Sequence, residues 1–191
     1  IREIVEINLE DGVSFDSDNI DIDQITKVAE YEGFRVKIPA TVGGDRHRLQ
    51  LDIGFGDSII DGPVNMDYPA LLDYPAPNIK VYSLESAIAE KLEAIVSLGI
   101  FGSRMKDYFD VWYLIKNHKL DHDNLRNAIK TTFNNRNTPI RDLKYIFSHE
   151  FKTDRDKAQQ WNAFLNRHSL DSNSTFEELV TALESYFTTI L

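Results

Sequence analysis

The sequence predicts an α+β protein in which a mixed β-sheet core is followed by a mainly helical C-terminal region. Two observations carry this reading. Apolar and polar residues alternate with a period of two in short stretches up to Tyr82, as half-buried strands do, whereas from Ser83 onward apolar residues recur at three- and four-residue intervals, as amphipathic helices do. Strands first and helices afterwards is the order of an α+β chain rather than of alternating βαβ units.

The elements follow in order. Residues 2–7 (REIVEI), 34–40 (FRVKIPA) and 48–53 (RLQLDI) alternate and read as strands, and Asn78-Ile79-Lys80-Val81-Tyr82 is a further short one. Glu10-Asp11-Gly12, Gly43-Gly44-Asp45 and the stretch from Gly54 to Pro77 carry the Gly, Pro and Asp of turns and loops. Ser83 is a fitting N-cap, with Glu85 in the first turn, for a helix running to about Leu98. A second helix spans about Arg104 to Asn117. After a polar break from His118 to Asp123, amphipathic segments follow near 124–134, 141–150, 155–167 and 175–190, the last capped by Ser174 or Thr175. This divides the chain into a core at 1–117 and a helical region at 118–191.

Composition sets the outer bounds. The 191 residues, 42% of them hydrophobic, can bury a sizeable core. The absence of cysteine rules out a disulfide framework, a cysteine zinc site and a thiol nucleophile, and fits a reducing cytoplasm, the expected location. No apolar run approaches the roughly 20 residues that span a bilayer, so no membrane partner is expected. Asn173-Ser174-Thr175 has the form of a glycosylation acceptor but reads as chance without a secretion signal. The first residue is Ile1, already inside an alternating stretch, so the chain is expected to begin partway through its fold. The net charge of -10 opposes nucleic-acid binding, yet residues 1–32 hold ten acidic side chains against Arg2 and Lys27. Basic clusters stand elsewhere, at Arg35, Lys37, Arg46, His47 and Arg48, and at Arg126, Lys130, Arg136, Arg141 and Lys144. Each is either an acceptor-facing patch or an ordinary solvated face.

Three places break the local pattern, and such breaks are where function is sought. Leu49, Leu51 and Ile53 share one face of their strand, which puts Asp52 on the other, followed by Gly54-Phe55-Gly56-Asp57. Asp52 is either a metal ligand or a solvent-facing carboxylate. Lys91 falls on the apolar stripe Leu84, Ile88, Lys91, Ile95, so its ammonium either snorkels from the core edge or reaches into a polar cavity. Asp107 and Asp110 share a helix face with Val111 and Leu114, where a carboxylate needs a partner, and Lys106 offers an intrahelical one to Asp110. A strand carboxylate, a helix ammonium and a helix acidic pair are parts that phosphoryl or nucleotidyl transfer uses.

Three segments, Leu49 to Asp57, Ser83 to Ala94 and Ser103 to Trp112, resemble in order and spacing the AbiEii/AbiGii toxin family of nucleotidyltransferases, of the polymerase-β-like superfamily. The likeness is close over residues 1–116 and looser beyond. It implies a nucleotidyltransferase-like core that moves a nucleotide from a nucleoside triphosphate to a tRNA or protein acceptor with Mg²⁺, and a cognate antitoxin protein as partner. It assigns Asp52 to the metal-binding carboxylates and places Lys91, beside Glu90, near the triphosphate. Lys106, Asp107 and Asp110 fall on its K-D-x-x-D motif, orienting Lys91 or the acceptor. The family's first motif, a glycine-rich turn followed by a strand with two metal-binding Asp residues, is not found here. Asp16, Asp18, Asp21 and Asp23 lack such a turn and the glycine of a calcium loop, and read as a solvated loop. The expectation is therefore of a fragment inactive by itself. A non-catalytic interaction domain, its acidic 1–32 region binding a basic partner, is the alternative. His118 and His122 are spaced for a shared metal but sit in a polar break, and no Walker loop, Rossmann fingerprint or nucleophile elbow is present.

Overall fold

The computed structural model describes residues 1–26, 32–55, 62–71, 73–170 and 174–191. Lys27, Gly56, Asp57 and Asn173, which entered the sequence reading, lie outside them. The chain forms two compact units, Ile1–Asp57 and Ser58–Leu191. The class is α+β, with strands first and helices dominating afterwards.

The first unit opens with α1 (Arg2–Val5), where a strand was expected. The reason lies in a second periodicity of the same residues: Ile1, Ile4 and Ile7 recur every three positions, and the Ile1 carbonyl accepts from Val5 N at 3.0 Å. The sheet contains β1 (Val13–Phe15), β2 (Asp21–Thr26), β3 (Glu32–Val42) and β4 (Asp45–Gly54). One edge of β3 pairs with β1 and β2 and the other with β4. Pairing is antiparallel throughout the described strands, so the sheet expected to be mixed is antiparallel. Gly43 and Gly44 join β3 to β4 with φ of 57° and 94°, the doubly left-handed backbone of a tight hairpin turn that glycine adopts without strain. Val36, Ile38 and Ala40 are buried on alternate positions of β3. The intervening Arg35 and Lys37 stand opposite Asp52, Asp23, Gln50 and Asp21.

That register corrects the reading of the acidic run. Asp21 and Asp23 lie on a strand rather than in a loop, and Lys37 Nζ binds Asp23 at 2.7 Å and approaches Asp21 to 3.8 Å. Cross-strand opposite charges allow the pairing that a row of acids alone would oppose.

In the second unit β5 (Val64–Asp67) and β6 (Asn78–Val81) pair, placing a strand inside the expected Gly54–Pro77 loop. The helix α2 (Leu84–Leu98) starts on the Ser83 hydroxyl, which accepts from Ser86 N at 3.1 Å. A 3₁₀ turn at Gly99–Phe101 leads to α3 (Met105–Asn117), then α4 (His122–Asn135), capped by Asp121. The expected 141–150 helix is broken into α5 (Leu143–Ile146) and α6 (His149–Lys152), because the Ser148 hydroxyl accepts from Phe151 N and restarts the helix. The chain ends with α7 (Arg155–Arg167) and α8 (Phe176–Ile190), the latter opened by a Thr175/Glu178 capping box. Ile88, Leu92 and Ile95 of α2 join Val111 of α3, Leu125, Ile129 and Phe133 of α4, Trp161 of α7 and Phe176 and Phe187 of α8 in one core. Each such side chain contributes about 1.5–3 kcal/mol on full burial. No helix among the described residues is long and apolar enough to cross a membrane.

Candidate active site

The helical unit brings together Lys91, Lys106, Asp107 and Asp110. Lys91 sits midway along α2 and reaches α3, where its Nζ donates to Asp110 Oδ2 at 2.6 Å and Asp107 Oδ1 at 3.2 Å. The three-residue spacing of Asp107 and Asp110 puts both carboxylates on the α3 face that meets α2. Lys106, one turn before Asp110, donates to the same Oδ2 at 2.5 Å, so the intrahelical pair and the interhelical contact coexist. Arg104 Nε lies 2.8 Å from Asp107 Oδ2. Its N–H is not aimed at that oxygen, which is buried without a hydrogen bond among the described residues. Asp107 is only 3% exposed and so depends on these cations.

The charge states follow from the geometry. Burial works to lower the Lys91 pKa, but the hydrogen bond and charge of Asp110, joined by those of Asp107, outweigh it and hold the ammonium above its ordinary value. Burial works to raise the Asp110 pKa, and Lys106 and Lys91 together bring it below the usual carboxylate range. Three cations, Lys91, Arg104 and Lys106, share two carboxylates, which leaves the cluster a positive excess. Lys106 and Arg104 present theirs to solvent.

Asp52 belongs to the sheet unit and lies on the strand face expected of it. Arg35, directly opposite on β3, grips both its oxygens, Nε to Oδ1 and Nη2 to Oδ2 each at 2.8 Å. This bidentate fork raises the Arg35 pKa, chiefly through the hydrogen bond to Asp52. It gives the carboxylate a partner that neither a metal-ligand nor a solvent-facing reading foresees.

Several polar residues have partners that the sequence reading did not name, and two, Glu93 and Lys157, were not singled out by it. Glu90 and Lys91, neighbours in sequence, serve different helices: while Lys91 turns to α3, Glu90 turns to α4, pairing with Arg136 and accepting from the Thr132 hydroxyl at 3.3 Å. Glu93, buried, accepts from Arg136 Nη1 at 3.2 Å and from the Thr138 hydroxyl at 2.5 Å. Arg136 thus fastens α4 to α2 instead of facing an acceptor. Arg126, of the same basic cluster, donates to the Ile190 carbonyl at 2.7 Å. Lys157 lies 1% exposed on the stripe Lys157, Trp161, Leu165 of α7, and the stripe test that singles out Lys91 would have found it.

Among the described residues no three His, Asp or Glu side chains converge as a metal-holding group. The profile of the nucleotidyl transferase AbiEii toxin family, type IV toxin–antitoxin system, matches residues 1–182. The chain belongs to this family of nucleotidyltransferase toxins, as the order of its three motifs suggested. No curated protein and no solved structure matches it.

Proposed function

We propose that the protein transfers a nucleotide from a nucleoside triphosphate to an RNA or protein acceptor in a Mg²⁺-dependent reaction, with a cognate antitoxin protein as partner. Residues 1–117 carry the nucleotide-handling core and 118–191 the helical region that follows it in sequence. The observation supporting this is the Lys91 ammonium held between Asp107 and Asp110, within a cluster of net positive charge. An ammonium has three donors. Two go to the carboxylates, and the third serves a phosphate oxygen of the triphosphate. Because the carboxylates keep Lys91 charged and in place, the charge developing on the phosphates meets a cation that need not reorganise. Lys106 adds a second, more exposed contact to the same phosphates.

Mg²⁺ would neutralise phosphate charge and orient the attacking group. The described residues do not gather a donor set for it, and Asp52 is already paired with Arg35. Asp52 is proposed as a carboxylate that would be offered to the metal, and the steps assigned to this chain are those of Lys91 and its neighbours.

The test incubates the full-length protein with Mg²⁺, each labelled nucleoside triphosphate in turn and total tRNA. Lys91→Met should lower the transfer of label about 100-fold or more, the scale of losing a preorganised charge at the transition state. Wild-type protein that labels neither RNA nor protein, yet retains a basic partner through residues 1–32, would replace this reading with that of an interaction domain.

A further inference from the structure

Lys157 is a buried lysine with no use in the scheme above. Its Nζ donates to the Gly99 carbonyl at 3.2 Å and to the Gly102 carbonyl, the first residue of the 3₁₀ turn that joins α2 to α3 and the residue that follows it. It is the only α7 side chain whose polar contacts with this turn the described residues record. Burial pushes the Lys157 pKa down and Asp154 opposes that shift, while the Phe151 ring faces the ammonium 5.5 Å away. Keeping a lysine here costs desolvation that an apolar residue would avoid.

Within the turn Ile100 packs against the core and Gly102 N donates to the Leu98 carbonyl at 3.1 Å, and Lys157 adds the side-chain contacts that reach it from α7. Phe101, its bulkiest residue, is 94% exposed and contributes no core packing. Gly99 adopts φ of 49°, and a Cβ at Gly102 would lie 2.9 Å from Leu98 Cβ, so the backbone path is tight and specific. Gly99 and Gly102 line the same small cavity as Arg104 and Asp107. One residue, Ser103, separates Gly102 from Arg104, whose guanidinium meets Asp107, which in turn meets Lys91.

We propose that Lys157 is a positioning residue for nucleotide transfer: by clamping the Gly99 and Gly102 carbonyls it sets where α3 begins, and thereby where Asp107 and Arg104 meet Lys91. The inference rests on the phosphate-binding role proposed for Lys91. It makes the helical C-terminal region a determinant of the triphosphate site without touching the substrate.

The experiment compares the full chain with Lys157→Met, Lys157→Arg and Gly102→Ala. Backbone hydrogen exchange is followed over residues 99–107, with KM and kcat for labelled nucleoside triphosphate in the presence of Mg²⁺. Lys157→Met should speed exchange across 99–107 and raise KM roughly tenfold, with a smaller change in kcat, while Lys157→Arg recovers part of the loss. Gly102→Ala displaces the turn with Lys157 intact and should give the same kinetic change, so the idea stays testable if Lys157→Met does not fold. Unchanged exchange at 99–107 in Lys157→Met, or faster exchange with unaltered KM, overturns the proposal. A wild-type protein without transfer activity sinks the proposed function instead, and the exchange at 104–107 then decides the clamp by itself.

Discussion

Lys91 and Asp110 stabilise one another in opposite limbs of the pH scale. The Asp110 pKa is lowered in the fold, so its contribution is complete above the unfolded carboxylate value of about 3.9 and is lost as pH falls through the folded one. The Lys91 pKa is raised, so its contribution is complete below about 10.4 and is lost as pH rises through the folded value. The cluster therefore holds steady through neutral pH. In urea unfolding, the stability difference between wild type and Asp110→Asn should be constant from pH 6 to 8 and shrink as pH falls below about 4. A difference that persists undiminished at pH 2.5 would remove the ion pair as its cause. Within this cluster Asp107 is the more buried of the two carboxylates, and Asp110 carries the shorter contacts to both lysines.

At the scale of elements, α2 does two jobs on two faces. Glu90 and Glu93 fasten it to α4 through Arg136, and Lys91 fastens it to α3. Removing the arginine leaves two carboxylates without their cation, one of them buried. Arg136→Ala should lower the unfolding free energy by about 2–3 kcal/mol, discounted from a fully buried pair for its partial exposure. Thermal and urea denaturation check this, and a change within a few tenths of a kcal/mol would mean that Glu93 keeps its stability through Thr138. The same elements show what a sequence discloses. The α2, α3, α7 and α8 boundaries were legible because caps and apolar stripes are local signals, read within one turn. The strands β1, β2 and β5 were not legible, because segments of three to six residues become a strand only when a partner supplies hydrogen bonds and, for β2, opposite charge. For the site, a lysine or aspartate on an apolar stripe announced that a partner must exist. Which residue that partner is, Asp107 for Lys91 or Arg35 for Asp52, depends on pairing across 16 or 17 residues and is fixed by tertiary register alone.

Among the described residues of the whole molecule, the second unit carries the large apolar core and the first only the alternating buried positions of β3. A chain consisting of Ser58–Leu191 should therefore retain a helical circular dichroism spectrum and unfold cooperatively in urea. Gradual loss of signal without a transition would show that this unit does not stand alone. The core of that unit also spans nearly its full length in sequence, from Ile88 on α2 to Ile190 on α8. Phe176, Leu179, Val180, Leu183 and Phe187 are made after the α2 and α3 residues they share this core with, and domains fold as units during synthesis. Until α8 has emerged, the part of α3 that packs on it, with Tyr108 against Phe176, lacks that cover. The helix that carries Asp107 and Asp110 thus gains its α8 neighbours only well after its own residues have been made.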